Sequence, residues 1–560
     1  MKSSRACIPA LLWAFAMSCS PSRTDENRLR DFIVTHLKQI EPKITAMNAA
    51  EWSANATGEK KYYDDNAALD LEVKRIRSNK TDFAFLKDLK DRNVIHDSLL
   101  QRQLTILYNN YLKNQIDTAL LSAMVAKQSA IANVFNTFRG KIDGREVADN
   151  DISNILKNER DAAKRKKAWE ASKQVGQAVA PMIVELVKLR NQAAKQLGFE
   201  DYYVMSLATD EQDASDVIRT FDVLAQLTDT PFTQFKHNLD GRLSKRFGVP
   251  VDKLRPWHYQ DPFFQEPPQT AGVDYDSFFK GKNIEELGWT FYAGIDLPVD
   301  DILKRSDLYP RKGKYQHAYE NDMDRAGDIR VMLNITDNQQ WMSTLLHELG
   351  HGVYSKNIDT NLPYLLRVET HTFLTEGIAE LMERQCYNLD WLQTMVNINE
   401  KEKEAVRKTQ HENLMAKELV FSRWTQVMVR FERSMYQNPD QDLNKLWWDF
   451  VEKYQLIRRP ENRNAPDWAA KIHLAQYPCY YHNYMLGELA ASQILNAIST
   501  KVKKEPAIAE ISFANKPEIG DFLKTRVFMP GSRLQWNDLL KYATGEGLTP
   551  KYFAEEFVGK

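Results

Sequence analysis

His347-Glu348-Leu349-Gly350-His351 sets two imidazoles four residues apart with a carboxylate beside the first. On a helix, positions i and i+4 lie one turn apart on one face, so His347 and His351 can share one metal ion. Glu348 lies within the motif but outside that ligand pair, where it can take a proton from the attacking water and return it to a leaving amine. A five-residue match is short, and its surroundings decide its meaning.

A catalytic zinc needs three protein ligands and an open position. Thr375-Glu376-Gly377-Ile378-Ala379-Glu380-Leu381 reads as a helix with Glu376 and Glu380 on one face. Glu376 is the expected third ligand, with Glu369 an alternative. Glu380, one turn later, is expected to receive the second N–H of a ligating imidazole and fix its tautomer. His371 reads as a structural histidine. An amide hydrolase also needs donors for a tetrahedral oxyanion. The run from Lys471 to Tyr484 is dense in them: Pro478 suits a first helical turn, and Tyr481 and Tyr484 then follow at i and i+3. Aromatic packing in a helical core would use the same residues.

The elements that must position these groups are mostly helical. Arg28 to about Arg190 reads as successive long amphipathic helices, as in Leu29, Phe32, Ile33, His36, Leu37 and Ile40. Charged stretches such as 82–97 and 157–167 read as solvated faces of a helical wall. Helix continues from Val175 to Phe247, with a stop at Leu197-Gly198-Phe199 and a cap at Asp213. Five prolines break residues 249–272 into an irregular crossing. Runs at 314–319 and 328–333, split by a turn-rich segment, read as a hairpin next to the motif helix. Its edge could hold an extended peptide. Helices resume after Asp337, so the expected fold is all-α with one small antiparallel β-hairpin near the active site.

Composition narrows the function classes. The 560 residues are 43% hydrophobic, 27% charged and 11% aromatic, an ordinary globular balance. Lys+Arg 75 against Asp+Glu 76 leaves no field that would gather nucleic acid. Residues 1–18 read as a lipoprotein-type signal peptide: Lys2 and Arg5 precede an apolar Ile8 to Met17, and Cys19 would bear the lipid. Secretion with Cys19 unmodified is the alternative. Residues 19–27 are expected to link this segment to a single catalytic domain, 28–560, of two helical halves around a cleft. Apart from such an anchor no membrane contact is expected, since no other segment has the apolar length of a span. Cys386 and Cys479 permit one disulfide, and two buried thiols are the plainer reading.

HELGH, TEGIAE at 375–380, and Lys471-Ile472-His473 ahead of a tyrosine-rich helix together resemble the angiotensin-converting-enzyme family of zinc peptidyl-dipeptidases. AAEWSANAT at 49–57, LSKRFG at 243–248 and KYQHAYEND at 314–322 extend the likeness, and thimet-type oligopeptidases are more distantly similar. The resemblance implies a helical ellipsoid with a deep central channel and one zinc at its floor. It gives His347, His351 and Glu376 as ligands, Glu348 as base, and His473 with Tyr484 as the oxyanion pair. It also implies that Lys471 and Tyr481 grip a free C-terminal carboxylate and that His317 and Ala318 hold the peptide. Tyr477 is a further substrate contact, and Gln260 or Gln265 stands for the family's carboxylate-binding glutamine. Asn483 occupies the place of an arginine in chloride-activated animal members, so chloride dependence does not carry over. Glu380 replaces a shorter aspartate, and the His473 to Tyr484 spacing differs by one residue.

The expected function is a zinc metallopeptidase that releases C-terminal dipeptides from short peptides. An oligoendopeptidase or single-residue carboxypeptidase of the same chemistry and a non-catalytic peptide-binding lipoprotein are the alternatives. The expected setting is the bacterial cell envelope, the expected state a monomer.

Overall fold

Asn338 starts the helix that carries HELGH: its side chain accepts the Trp341 N–H, leaving a free helix from Gln339 to Lys356. This motif helix is buried along Met342, Leu345, Leu346, Leu349 and Val353, a helical stripe set into the main hydrophobic core. In this computed structural model the described residues are 21–268, 274–505 and 511–558. The expected export signal and Cys19 lie outside them.

A second helix, Thr372–Glu383, crosses the motif helix at Gly350, where a Cβ would stand 3.0 Å from the Ala379 Cα. That closeness explains the glycine inside the motif. A third helix, His482–Ala497, crosses the second at a pair of glycines. A Cβ on Gly377 would lie 2.8 Å from the Gly487 carbonyl oxygen, and one on Gly487 would lie 3.2 Å from the Glu376 Cβ. The three helices are therefore in near-backbone contact around the ligand candidates.

The rest is helical apart from two small antiparallel sheets. β1 (Gly140–Ile142) and β2 (Arg145–Val147) form a hairpin that the sequence reading passed over. Asp143 and Gly144 both have positive φ, 50° and 80°, so the dipeptide is a two-residue hairpin turn whose Asp-Gly signal was present. β3 (Tyr319–Asp322) and β4 (Ile329–Met332) form the expected hairpin, in the register Tyr319 to Met332. Its first strand starts later than expected, because Lys314 is buried and its ammonium is drawn to Asp307 and to three carbonyl oxygens, so residues 314–318 do not pair.

The N-terminal helices α1 (Pro21–Thr57), α2 (Lys60–Arg77), α3 (Lys80–Arg92) and α4 (Ser98–Leu112) build a wall with a small core of its own. Helix begins at Pro21, so most of the stretch expected as a linker is helical. α3 buries only Leu86 and Leu89 and leaves its charges outward, as expected of a solvated face. α1 is fastened to the β3–β4 hairpin: Asn48 donates to the Asp322 and Met323 carbonyls, and Asn55 to the Tyr319 hydroxyl. Cys386 and Cys479 are free, buried thiols, so no disulfide joins them. Among the described residues, no helix is long and apolar enough to cross a membrane.

Candidate active site

His347, His351 and Glu376 converge. Their Nε2 atoms are 3.3 Å apart, and Glu376 Oε2 lies 3.7 Å from His347 Nε2 and 3.9 Å from His351 Nε2. A tetrahedral zinc with arms of about 2.05 Å holds its donors about 3.3–3.4 Å apart, so the triangle fits a zinc ion with only slight contraction. Glu369, the alternative ligand, is turned away: it accepts the Ser355 hydroxyl.

The backs of the two rings are fixed differently. His351 Nδ1 lies 2.7 Å from Thr375 Oγ1 and His347 Nδ1 lies 3.0 Å from Glu383 Oε2, so each ring turns Nε2 inward. Glu383 thus takes the place expected of Glu380. The charges of these crowded acids follow from that contact. Burial, Glu488 and Glu383 push the Glu380 carboxyl well above its ordinary range, towards the neutral form. Burial also works against Glu383, but the His347 hydrogen bond and the Lys417 ammonium outweigh it and hold Glu383 ionised. Seven residues after Glu376, Glu383 shares its helical face, and that spacing is the signal that could have found it.

Glu348 is buried beside the triad, and the backbone of Glu320 in β3 hydrogen-bonds its carboxylate. Burial raises it to about 7, with His347 opposing and Glu376 adding to the rise. A base poised there accepts a proton readily near neutral pH. His317 and Ala318 immediately precede β3. His317 is exposed with its ring 5.2 Å from Tyr315, and Ala318 is half-buried.

The tyrosine-rich segment approaches from the third helix. Pro478 is outside that helix: Cys479 takes a left-handed φ of 56° and the helix starts at His482, so Tyr481 sits at its N-cap. Tyr484 is in the first turn, its ring 6.5 Å from His473 and 5.3 Å from Tyr481. Burial and the nearby Glu376 carboxylate raise the Tyr484 phenol, which keeps its proton for donation. Burial, helped by Lys471, lowers His473 to about 4, leaving a neutral ring. Lys471 Nζ donates to Gln265 Oε1 at 2.8 Å and stands 5.5 Å from the Tyr481 ring centroid, whose hydroxyl accepts from Trp424 Nε1. Gln265 is thus the glutamine brought to Lys471. Gln260 has a left-handed φ of 65°. Tyr477 is largely exposed, 5.6 Å from the His473 ring. His371 is structural, its Nδ1 capping the helix of Glu376 by accepting the Phe373 N–H.

Comparison with known families agrees with this arrangement. Residues 303–559 match the family model described as Peptidase family M3, and residues 23–230 match the one described as Angiotensin-converting enzyme. The chain is a metallopeptidase. Both families are zinc metallopeptidases, and the first match spans the ligand triad, Glu348 and the tyrosine segment. The second covers the wall of α1 to α4. His347, His351 and Glu376 would hold the zinc ion, which when bound would supply Lewis acidity towards a peptide carbonyl.

The Glu383 contact is testable on metal binding alone. Glu383→Gln keeps the shape but removes the charge facing His347 Nδ1, and zinc affinity should fall roughly 10- to 100-fold in chelator competition.

Proposed function

We propose that this peptidase releases dipeptides from the free C-terminus of short peptides. The observation that carries the reading is Lys471. It is a half-buried cation with no carboxylate at ion-pair distance among the described residues, held by Gln265 and backed by Tyr481, two positions before His473. Such a group recognises a carboxylate that the protein itself does not supply. His473 and Tyr484 link it to Glu376, so a peptide anchored at Lys471 would present a bond near its C-terminus to Glu348.

In this reading Glu348 takes the proton of the attacking water and delivers it to the leaving amine. Tyr484 and His473 donate hydrogen bonds to the developing oxyanion. The β3 edge, with His317 and Ala318 before it, holds the peptide extended. Export to the cell envelope with a lipid on Cys19 belongs to the same proposal, and mass spectrometry of the mature N-terminus tests it.

Product analysis on paired peptides with free and amidated C-termini decides the mode. Free peptides should lose dipeptides and amidated ones should be cut poorly. Equal rates and unchanged positions would favour an oligoendopeptidase, the alternative that the Peptidase family M3 match keeps in play. Lys471→Met should raise KM for free-acid peptides roughly 30-fold, the low end for removing one partner of a buried charge pair. Burial lowers Lys471 to about 8 against the pull of Asp261 and Glu266. The charged form makes the grip, so it is present below about pH 8 and lost as pH rises through that value. KM of the wild-type protein should therefore climb on the alkaline side, and the Lys471→Met profile should be flat there.

A further inference from the structure

A cavity of about 400 Å³ lies between α1, α4, the turn of the β3–β4 hairpin and the segment leading to Glu376. Thr375 lines it, and Thr375 Oγ1 lies 2.7 Å from His351 Nδ1, so the cavity reaches the Nδ1 side of the His351 ring, a side that no residue of the Lys471 cluster lines.

Two guanidinium groups are set into its wall. Arg77, at the end of α2, has its Nε buried without a hydrogen-bond partner. Arg325 has a left-handed φ of 56° in the hairpin turn, where the Asp322 carboxylate accepts its backbone N–H at 2.7 Å. Its guanidinium lies 4.9 Å over the Tyr364 ring and donates weakly to the Tyr364 carbonyl at 3.5 Å. Among the described residues neither side chain has a carboxylate within ion-pair distance. Burial and the neighbouring Arg325 both weigh against the charge on Arg77, with Asp70 opposing them, and Asp322 is the carboxylate whose charge Arg325 feels, so two like charges share the wall with acids near them but none paired to either fork.

The cavity's other cations are already paired, Arg102 with Glu211 and Lys113 with Asp210. Of its acids, Glu369 alone stands outside an ion pair, and it is occupied by the Ser355 hydroxyl. What the cavity wall leaves without a direct partner among the described residues is two forked cations, the form suited to a carboxylate.

We infer that this cavity receives the acidic side chain of a peptide residue upstream of the scissile bond, held by Arg77 and Arg325. The inference rests on the peptidase reading above and deepens it. With the C-terminus at Lys471 and the scissile bond at Glu348, the upstream part of the peptide is what remains to be housed beyond His351.

The test uses zinc-loaded full-length protein and peptides that differ only by Glu or Gln upstream of the cut, each made with free and amidated C-termini. The Glu peptide should be favoured in kcat/KM by roughly tenfold, whichever C-terminus it carries. In Arg77→Gln and in Arg325→Gln that ratio should fall towards one. A ratio is read within one protein preparation, so partial misfolding of either variant cancels. A preference that vanishes on amidation would assign the carboxylate to the C-terminus and overturn the inference, as would a wild-type ratio of one or an unchanged ratio in both variants. If no peptide is cleaved, the peptidase reading fails by itself. Calorimetric binding of the same pair then decides the cavity: a Glu preference lost in the variants upholds it, and equal affinities overturn it.

Discussion

Glu348→Gln should lower kcat by roughly 10²- to 10⁴-fold, the span of general acid–base catalysis, with zinc content unchanged. The amide fills the same volume beneath β3 and can neither accept nor return a proton. The metal should stay because the residues proposed to hold it are His347, His351 and Glu376, with donor atoms 3.3 to 3.9 Å apart. Burial sets Glu348 at about 7, and a bound cation would draw it lower. Ionised carboxylate is the working form, so the acid limb of kcat/KM should fall at or below about pH 7 and belong to this residue. Turnover at the wild-type rate in the zinc-loaded variant would refute the assignment.

Glu376→Gln should abolish activity by a different route, loss of the metal. Two imidazoles and an amide make a poor zinc site, and affinity should fall by at least about 100-fold, the upper range seen for losing a supporting residue alone. Metal analysis after dialysis reads this directly, and excess zinc should restore part of the activity. Thermal unfolding gives a second readout. A ligand at about 100 times its Kd adds about 2.7 kcal/mol to the folded state. Chelator should therefore lower the Tm of the wild-type protein and leave that of Glu376→Gln nearly unmoved. An equal drop in both would mean that the stabilising metal is bound elsewhere.

The convergence of His347, His351 and Glu376 was legible because it obeys helical spacing within two short segments. Helix geometry alone puts His347 over His351, and a single missing ligand pointed to Glu376. Glu383 was legible only in part: its spacing from Glu376 sets it on the right face, but which acid of that face meets His347 Nδ1 depends on how two helices cross, and no local pattern carries that. The β3–β4 hairpin was legible from its turn, but its first strand was placed early because the Lys314 ammonium and its carbonyl partners cannot be read locally. Pro478 misled for a related reason. Its fit to a first turn is a local preference, whereas the left-handed Cys479 delays the helix to His482. The pairing of Lys471 with Gln265 joins positions about two hundred residues apart, and no periodicity carries that information.

The crossing at Gly377 and Gly487 sets a fixed gauge. Glu376 belongs to one helix and Tyr484 to the other, and with backbone against backbone there is no side-chain layer whose size could adjust their spacing. The interval between Glu376 and Tyr484, the proposed metal ligand and oxyanion donor, is thus a property of the main chain, insulated from drift in the surrounding core. Substrate preference can be retuned at the wall of α1 to α4 or around Lys471 without touching it. A single methyl added at either glycine would recalibrate both catalytic halves at once.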